Sequence, residues 1–310
     1  MNLVGSLRKI AMDLERQIGA SSREPDCMTP DHYAALAWVH DRRAKYGKVN
    51  PELAARYAEL HEQSPRLAFL FNKFLICSLA ADFTVSRSPY KIPPSVERLY
   101  LKEIRRIADQ LDRFELSFYD LGRDEFLKDL AILTHRLIPV GAEFAQPDCG
   151  VPRSVLFKGG PSQLLRGLWF FGVRLRGFKP LFSLHLHNLA LDEFNPEGLV
   201  ETYGRLAELL ELNPEFKGWF SGSWFLDPQL ASISPHLAHL RAVPEANGAA
   251  IFFVEADPRG TSGALAKSAT RQRLFREGKY LPKIYMRVWP RQAMLEWQRG
   301  RAEHTRGGPA

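Results

Sequence analysis

The periodicity of the chain changes once, at Pro139, and that change divides what the two halves can fold into. Before it, apolar residues recur every three or four positions. Leu3, Leu7, Ile10, Leu14 and Ile18 fall on one stripe of a helix that leaves Arg8, Lys9, Glu15 and Arg16 outside. Asn50-Pro51 and Ser64-Pro65 each read as a helix N-cap followed by proline at the first helical position. The pattern predicts five helices in the first 140 residues. The segment from Pro65 to Ala81, with Leu67, Leu70, Phe71, Phe74, Leu75 and Leu79 on one broad face, is expected to be the central one. It does not read as a membrane span, because Asn72 and Lys73 interrupt the apolar run from Leu67 to Phe83. An interfacial membrane helix there would need more cations than Arg66 and Lys73. Ser86 to Pro94, with Pro89, Pro93 and Pro94, reads as an internal linker.

After Pro139, short β-branched and aromatic runs bounded by Gly and Pro predict strands: Val140 to Ala145, Arg153 to Lys158, Leu164 to Arg174 and Pro180 to Ala190. Leu168 to Leu175 and Phe178 to Leu186 flank Arg176-Gly177, which predicts an antiparallel hairpin with a long second strand. Asn195-Pro196 should start a helix whose stripe is Leu199, Tyr203, Leu206, Leu209 and Leu210, ending at Asn213-Pro214. Further strands are expected at Phe216 to Phe225, Ala249 to Glu255 and Lys283 to Trp289, with helices at Ser234 to Arg241 and Gly263 to Glu277. The expectation is an α/β (α+β) fold: a mixed, largely antiparallel twisted sheet with flanking helices, preceded by a helical N-terminal region. Residues 1–90 would form that region, 91–297 the core, and 298–310 a basic disordered tail.

A length of 310 residues with 45% hydrophobic content fits a globular chain and excludes collagen-like, mucin-like and wholly disordered classes. Cys27, Cys77 and Cys149 are odd in number and widely spaced, so neither a disulfide scaffold nor a zinc-binding pair is indicated. The first twenty residues contain Asp13 and Glu15 and no continuous apolar stretch, unlike a secretory signal, and the expected compartment is a reducing cytoplasm. The net charge of +7 is uneven: residues 259–310 hold twelve Lys and Arg against three acids, while the first 258 hold thirty against thirty-two. Such a basic region suits a phosphate-bearing cofactor, an acidic carrier protein, nucleic acid, or simply a solvated surface.

The order strand, helix, strand, short helix, strand, with a last strand near the C-terminus, resembles the core of the GNAT superfamily of acyltransferases over roughly Val140 to Trp297. What the resemblance implies is an acyl thioester bound where two neighbouring strands splay apart, attacked by an amine. The superfamily's Gln/Arg-x-x-Gly-x-Gly/Ala phosphate loop should fall between Leu191 and Gly198. The sequence there is Asp192-Glu193-Phe194-Asn195-Pro196-Glu197-Gly198, in which three carboxylates repel a phosphate and the proline removes a donor. This departure leaves room for an acyl-carrier-protein donor beside coenzyme A.

Ser183, His185 and His187 alternate on the predicted strand, so the two imidazoles would share one face about 7 Å apart. Either could act as an acid or base, the pair could bind iron or zinc with Glu193, or the face could be merely polar. Glu193, at the strand-to-helix turn, could orient an imidazole or bind a cationic amine. Ser223 and Trp224, ending the next strand, could border the thioester, although Trp224 equally suits core packing. Lys267, Arg271, Arg273 and Arg276 lie on one predicted helix and could hold the donor through its anionic groups. The expected activity is transfer of an acyl group from a thioester to a small-molecule amine, with no tightly bound cofactor. A metalloenzyme, and a non-catalytic module for acidic partners, are the alternatives. Nucleic acid is disfavoured by the absence of any helix-turn-helix or RNP-like pattern.

Overall fold

The structure, a computed structural model, describes residues 3–21, 36–37, 45–189 and 191–306. The helical periodicity of the first 140 residues becomes α1 (Leu3–Ser21), α2 (Pro51–Gln63), α3 (Pro65–Ala81), α4 (Pro94–Gln110) and α5 (Asp124–Leu133). The side-chain oxygen of Asn50 accepts a hydrogen bond from the Glu52 N–H at 2.8 Å, which fixes the start of α2. Ser64 breaks the chain between α2 and α3 through its extended backbone and makes no side-chain cap. Helix α3 is buried over most of its circumference, and Leu7, Leu14 and Ile18 of α1 belong to the same core as its Phe71, Phe74 and Leu75. The polar interruption Asn72 is satisfied inside that core by donating to the Tyr119 carbonyl at 2.7 Å. No helix among the described residues is long and apolar enough to cross a membrane.

The chain clusters into two compact units. The first comprises Met1–Val140, Phe144–Gln146 and Leu186–Leu191; the second comprises Gly141–Glu143, Pro147–His185 and Asp192–Ala310. Ser86 to Pro94 therefore lies within the first unit, and the helical chain continues well past residue 90 because α4 and α5 supply Ile104, Ile107, Phe126, Leu130 and Leu133 to its core.

Six strands follow in one sheet: β1 (Ile138–Pro139), β2 (Phe144–Cys149), β3 (Leu181–His185), β4 (Gly218–Ser223), β5 (Ala250–Ala256) and β6 (Lys283–Pro290), in the order β1-β2-β3-β4-β6-β5. The sheet is mixed: β3 and β4 are parallel, while β1/β2, β4/β6 and β5/β6 are antiparallel. Between β2 and β3 lie α6 (Val155–Lys158) and α7 (Gly160–Trp169), the latter running into a π turn at Phe170–Arg174. The hairpin expected here is absent. Aromatic enrichment suggested strands, but Gln163, Gly167, Phe170 and Phe171 are buried at helical spacing, and Phe170 packs on Phe252 of β5. The expected strand from Arg153 to Lys158 is likewise helical, and β3 stops at His185.

Helix α8 (Pro196–Leu212) begins at the Asn195 cap, as the Asn-Pro pair predicted, and carries the chain from β3 to the parallel β4. On its face of the sheet Tyr203 stacks on Trp219 and meets Trp289 edge-on. The opposite face packs Leu181, Phe252, Met286 and Val288 against Val155, Leu156, Phe170 and Phe171. After β4 come a 3-10 turn (Trp224–Leu226), α9 (Leu230–Ile233), α10 (His239–Ala246), α11 (Ala269–Arg276) and α12 (Arg291–Arg306). Helix α11 is shorter than predicted, because Ser268 caps it by accepting from the Arg271 N–H at 3.3 Å. Residues 298–306, expected as tail, continue α12, with Arg301 paired to Glu201 of α8. Cys27 and residues 307–310 lie outside the described residues.

The free edge of β5 is occupied by a side chain. The amide of Gln163 donates to the Phe253 carbonyl at 2.9 Å and accepts from the Phe253 N–H at 2.8 Å, as a neighbouring strand would.

Candidate functional site

His187 is fully buried in the first unit. Its Nε2 donates to Asp129 Oδ1 at 3.0 Å, and its Nδ1 accepts from the Leu189 N–H at 3.2 Å. Both ring nitrogens are thus engaged, which fixes the Nε2–H tautomer and leaves neither to take a proton from a substrate. Asp129 also pairs with Arg106, which pairs with Glu103 at 2.7 Å, so the imidazole closes a buried charge network. Burial works to raise the Asp129 carboxyl, but the Arg106 charge and the His187 hydrogen bond outweigh it and hold that carboxyl below its ordinary value. His185, at the end of β3, belongs to the second unit. Strand alternation ends before His187, so the two histidines do not share a strand face.

Glu193 is paired with Arg205 of α8, Nη1 to Oε2 at 2.7 Å. Among the described residues no group of three His, Cys, Asp or Glu is arranged to hold a metal ion, so His185, His187 and Glu193 do not form the metal site considered from the sequence. Asn195 Oδ1 accepts from the Gly198 N–H at 2.8 Å, which uses at the α8 N-terminus a donor that a phosphate would need.

Lys267, expected on the same helix as the three arginines, precedes the Ser268 cap and lies outside α11, and the cations of this basic segment are of two kinds. Lys267, Arg273 and Arg276 are exposed, with Arg273 ion-paired to Glu277 at 3.5 Å. Arg271 is buried instead: its Nε donates to the Ala264 carbonyl at 2.5 Å, its Nη1 donates to Ser234 Oγ at 2.9 Å, and its guanidinium lies 4.7 Å from the Trp224 ring centre. It is a core residue, not a member of the polar stripe, because its position in the first turn of the short α11 faces Trp224. Ser223 Oγ accepts from the Phe225 N–H at 3.1 Å and caps the turn that follows β4.

The chemically unusual groups of the second unit gather around Arg287 of β6, whose guanidinium lies 4.7 Å from the Trp219 ring centre. β3 and β4 pair only at Phe182–Trp219 and Ser183–Phe220, although β3 runs on to His185 and β4 to Ser223. Ser221 is thus the first β4 residue past the last β3 partner. Directly across from it on β6 is Arg287, buried, which donates through Nη2 to Ser221 Oγ at 3.2 Å and through Nη1 to the Tyr203 hydroxyl at 3.1 Å and the Leu240 carbonyl. The Glu143 carboxylate reaches the same guanidinium, with Oε2 4.0 Å from Nη2, and that oxygen has no hydrogen-bond partner. Burial raises the Glu143 carboxyl above its ordinary value, and Arg287 only partly offsets this. Further along the same strand end, Asp227 Oδ2 and the Tyr280 hydroxyl are buried without partners. Burial raises both, Tyr280 to about 12, and their mutual repulsion adds to the Tyr280 shift.

Glu143 and Arg287 were not singled out as site residues from the sequence. The legible sign was a lone charge inside an apolar run: Glu143 between Val140 and Ala145, and Arg287 between Ile284 and Trp289. A charge in a buried run needs either a partner or a task. No family model, curated protein or solved structure matches the chain.

Proposed function

We propose that the second unit is an acyltransferase that moves an acyl group from a thioester to a small-molecule amine, using a GNAT-like sheet. The observation that carries this reading is the parallel pair β3/β4, joined by α8, that pairs over two registers only and has Glu143, Ser221 and Arg287 buried together next to the last of them. Support for the fold comes from the strand order, in which β6 inserts between β4 and β5. In open α/β sheets the crevice beyond the carboxyl ends of parallel strands is the usual ligand site.

In this reading Glu143 takes a proton from the ammonium group of the acceptor. Its raised pKa suits that task, since a base works best near the operating pH. The free amine attacks the thioester carbonyl, a C–N bond forms, and the C–S bond breaks as the tetrahedral intermediate collapses. The thiolate takes one proton and a second is lost to solvent, which leaves a neutral amide and a thiol. Arg287 fixes the Ser221 hydroxyl and the Glu143 carboxylate in place. The self-capped α8 N-terminus favours a carrier-protein donor, whose acidic surface would meet the exposed Lys267, Arg273 and Arg276.

The test is thiol release from acyl-carrier-protein and acyl-coenzyme A thioesters across a panel of amines. Wild type should show acceptor-dependent release, and Glu143→Gln should lower it by about 10²–10⁴ while keeping the fold. Acceptor-independent behaviour in the wild type, or full turnover in the variant, would overturn the assignment.

A further inference from the structure

Residues 149–185, all within the second unit, contain Arg153, Lys158, Arg166, Arg174, Arg176 and Lys179 and no aspartate or glutamate. All six cations are exposed. The same stretch exposes an unusual amount of apolar side chain: Phe157, Leu165, Leu168, Trp169 and Val173 are each between 54% and 70% accessible. Four of them are spaced i, i+3, i+4 and i+8 along α7 and its π turn, opposite the buried stripe of Gln163, Gly167, Phe170 and Phe171. The helix is therefore amphipathic in both directions, with one apolar face in the core and another in solvent. Packing explains the first face and leaves the second unexplained.

We infer that this face docks the protein onto an anionic lipid surface, with α7 lying in the interfacial plane. An exposed Leu/Trp/Val stripe on a helix, flanked by cations of one sign, matches the requirements of that plane: aromatic and aliphatic side chains enter the acyl boundary while Lys and Arg meet headgroup phosphates. The Arg174 guanidinium lies 6.0 Å from the Trp169 ring centre, at the border between the two zones. Beside the stripe, Arg166, Trp169 and Arg174 line a cleft of about 630 Å³, in which Arg241 is already paired with Glu245 and Arg166 and Arg174 are left to meet a headgroup. Within residues 149–185 the charge is of one sign, and together with the exposed apolar stripe this favours a lipid surface over a protein groove. The inference does not depend on the proposed acyl transfer.

The test is co-sedimentation of the full chain with vesicles of phosphatidylcholine containing 30% phosphatidylglycerol, against phosphatidylcholine alone, at about 0.1 M salt. Wild type should pellet with the anionic vesicles only. Leu165→Ser with Trp169→Ser should weaken partitioning at least about tenfold, as should Lys158→Glu with Arg174→Glu. Leu168→Ser with Val173→Ser provides an independent pair on the same ridge, and circular dichroism checks that each variant folds. Four results would overturn the inference: no binding by monomeric wild type, equal binding to neutral vesicles, variants that bind as well as wild type, or a ridge that instead holds a dimer or an acyl carrier protein.

Discussion

Replacing His187 with alanine should unfold before it inactivates. The imidazole is fully buried, donates to a carboxylate, accepts from the Leu189 N–H and lies against the Phe144 ring at 5.6 Å. Losing a hydrogen bond to a charged group costs about 1.5–3 kcal/mol, and the vacated volume adds roughly 1–2 kcal/mol. Arg106 continues to hold Asp129, so no carboxylate is left without a counter-charge. The sum, about 2.5–5 kcal/mol, corresponds at about 2–4 °C per kcal/mol to a fall of about 5–20 °C in the unfolding midpoint of a unit of this size. Thermal unfolding of the full chain by circular dichroism would measure it. His187→Gln, whose amide can still donate to Asp129, should fall between the two. A shift below about 2 °C, accompanied by lost turnover, would refute the structural role and return the imidazole to acid–base chemistry.

Arg271→Glu should destabilise by about 3–5 kcal/mol, since it places a carboxylate where the guanidinium meets Ala264 O, Ser234 Oγ and Trp224, whereas Arg273→Glu should change stability by no more than about 0.5 kcal/mol; equal effects in urea unfolding would contradict the division between them. Asp129 has a depressed pKa, so its contribution is complete above the ordinary carboxylate value and is lost as pH falls below about 4. Asp129→Asn should accordingly be less stable at pH 7 and show a shallower loss below pH 4 than wild type, as read from chemical unfolding at each pH. Glu143 has a raised pKa, so its contribution is complete below the ordinary value and is lost as pH rises through the folded one. Glu143→Gln should gain stability relative to wild type as pH rises above the ordinary carboxylate range, about 4, and a growing deficit on that side would show that the ionised carboxylate is stabilising.

What the sequence made legible follows from how local each determinant is. The Asn50-Pro51 and Asn195-Pro196 starts, the stripes of α1, α3 and α8, and strands β4, β5 and β6 are set by spacing within a few residues, and the structure carries them close to where they were expected. The stretch from 153 to 174 misled because a helix with apolar residues on both faces loses the polar stripe that marks helical periodicity. His187 looked available for chemistry because its partner, Asp129, lies 58 residues away. Arg271 looked like a surface charge for the same reason: Ser234 and Trp224 meet it only through the fold. Glu143 and Arg287 stood out only as charges in apolar runs, and their relation depends on strand β6 lying beside β4.

The side chain of Gln163 on β5 has a consequence for association. A bare strand edge can be extended by any chain that offers a complementary backbone, whether another copy or a bound peptide. Here one amide occupies both hydrogen-bonding groups of Phe253, and Arg166 takes the neighbouring Ile251 carbonyl at 2.7 Å, so two side chains of a single helix turn act as a short false strand. The sheet is thereby ended without covering it with another strand. Such a terminus is held by side chains of α7 alone, so a displacement of that helix would expose the edge again. Whatever rearranges that helix would at the same time uncover a template for strand addition.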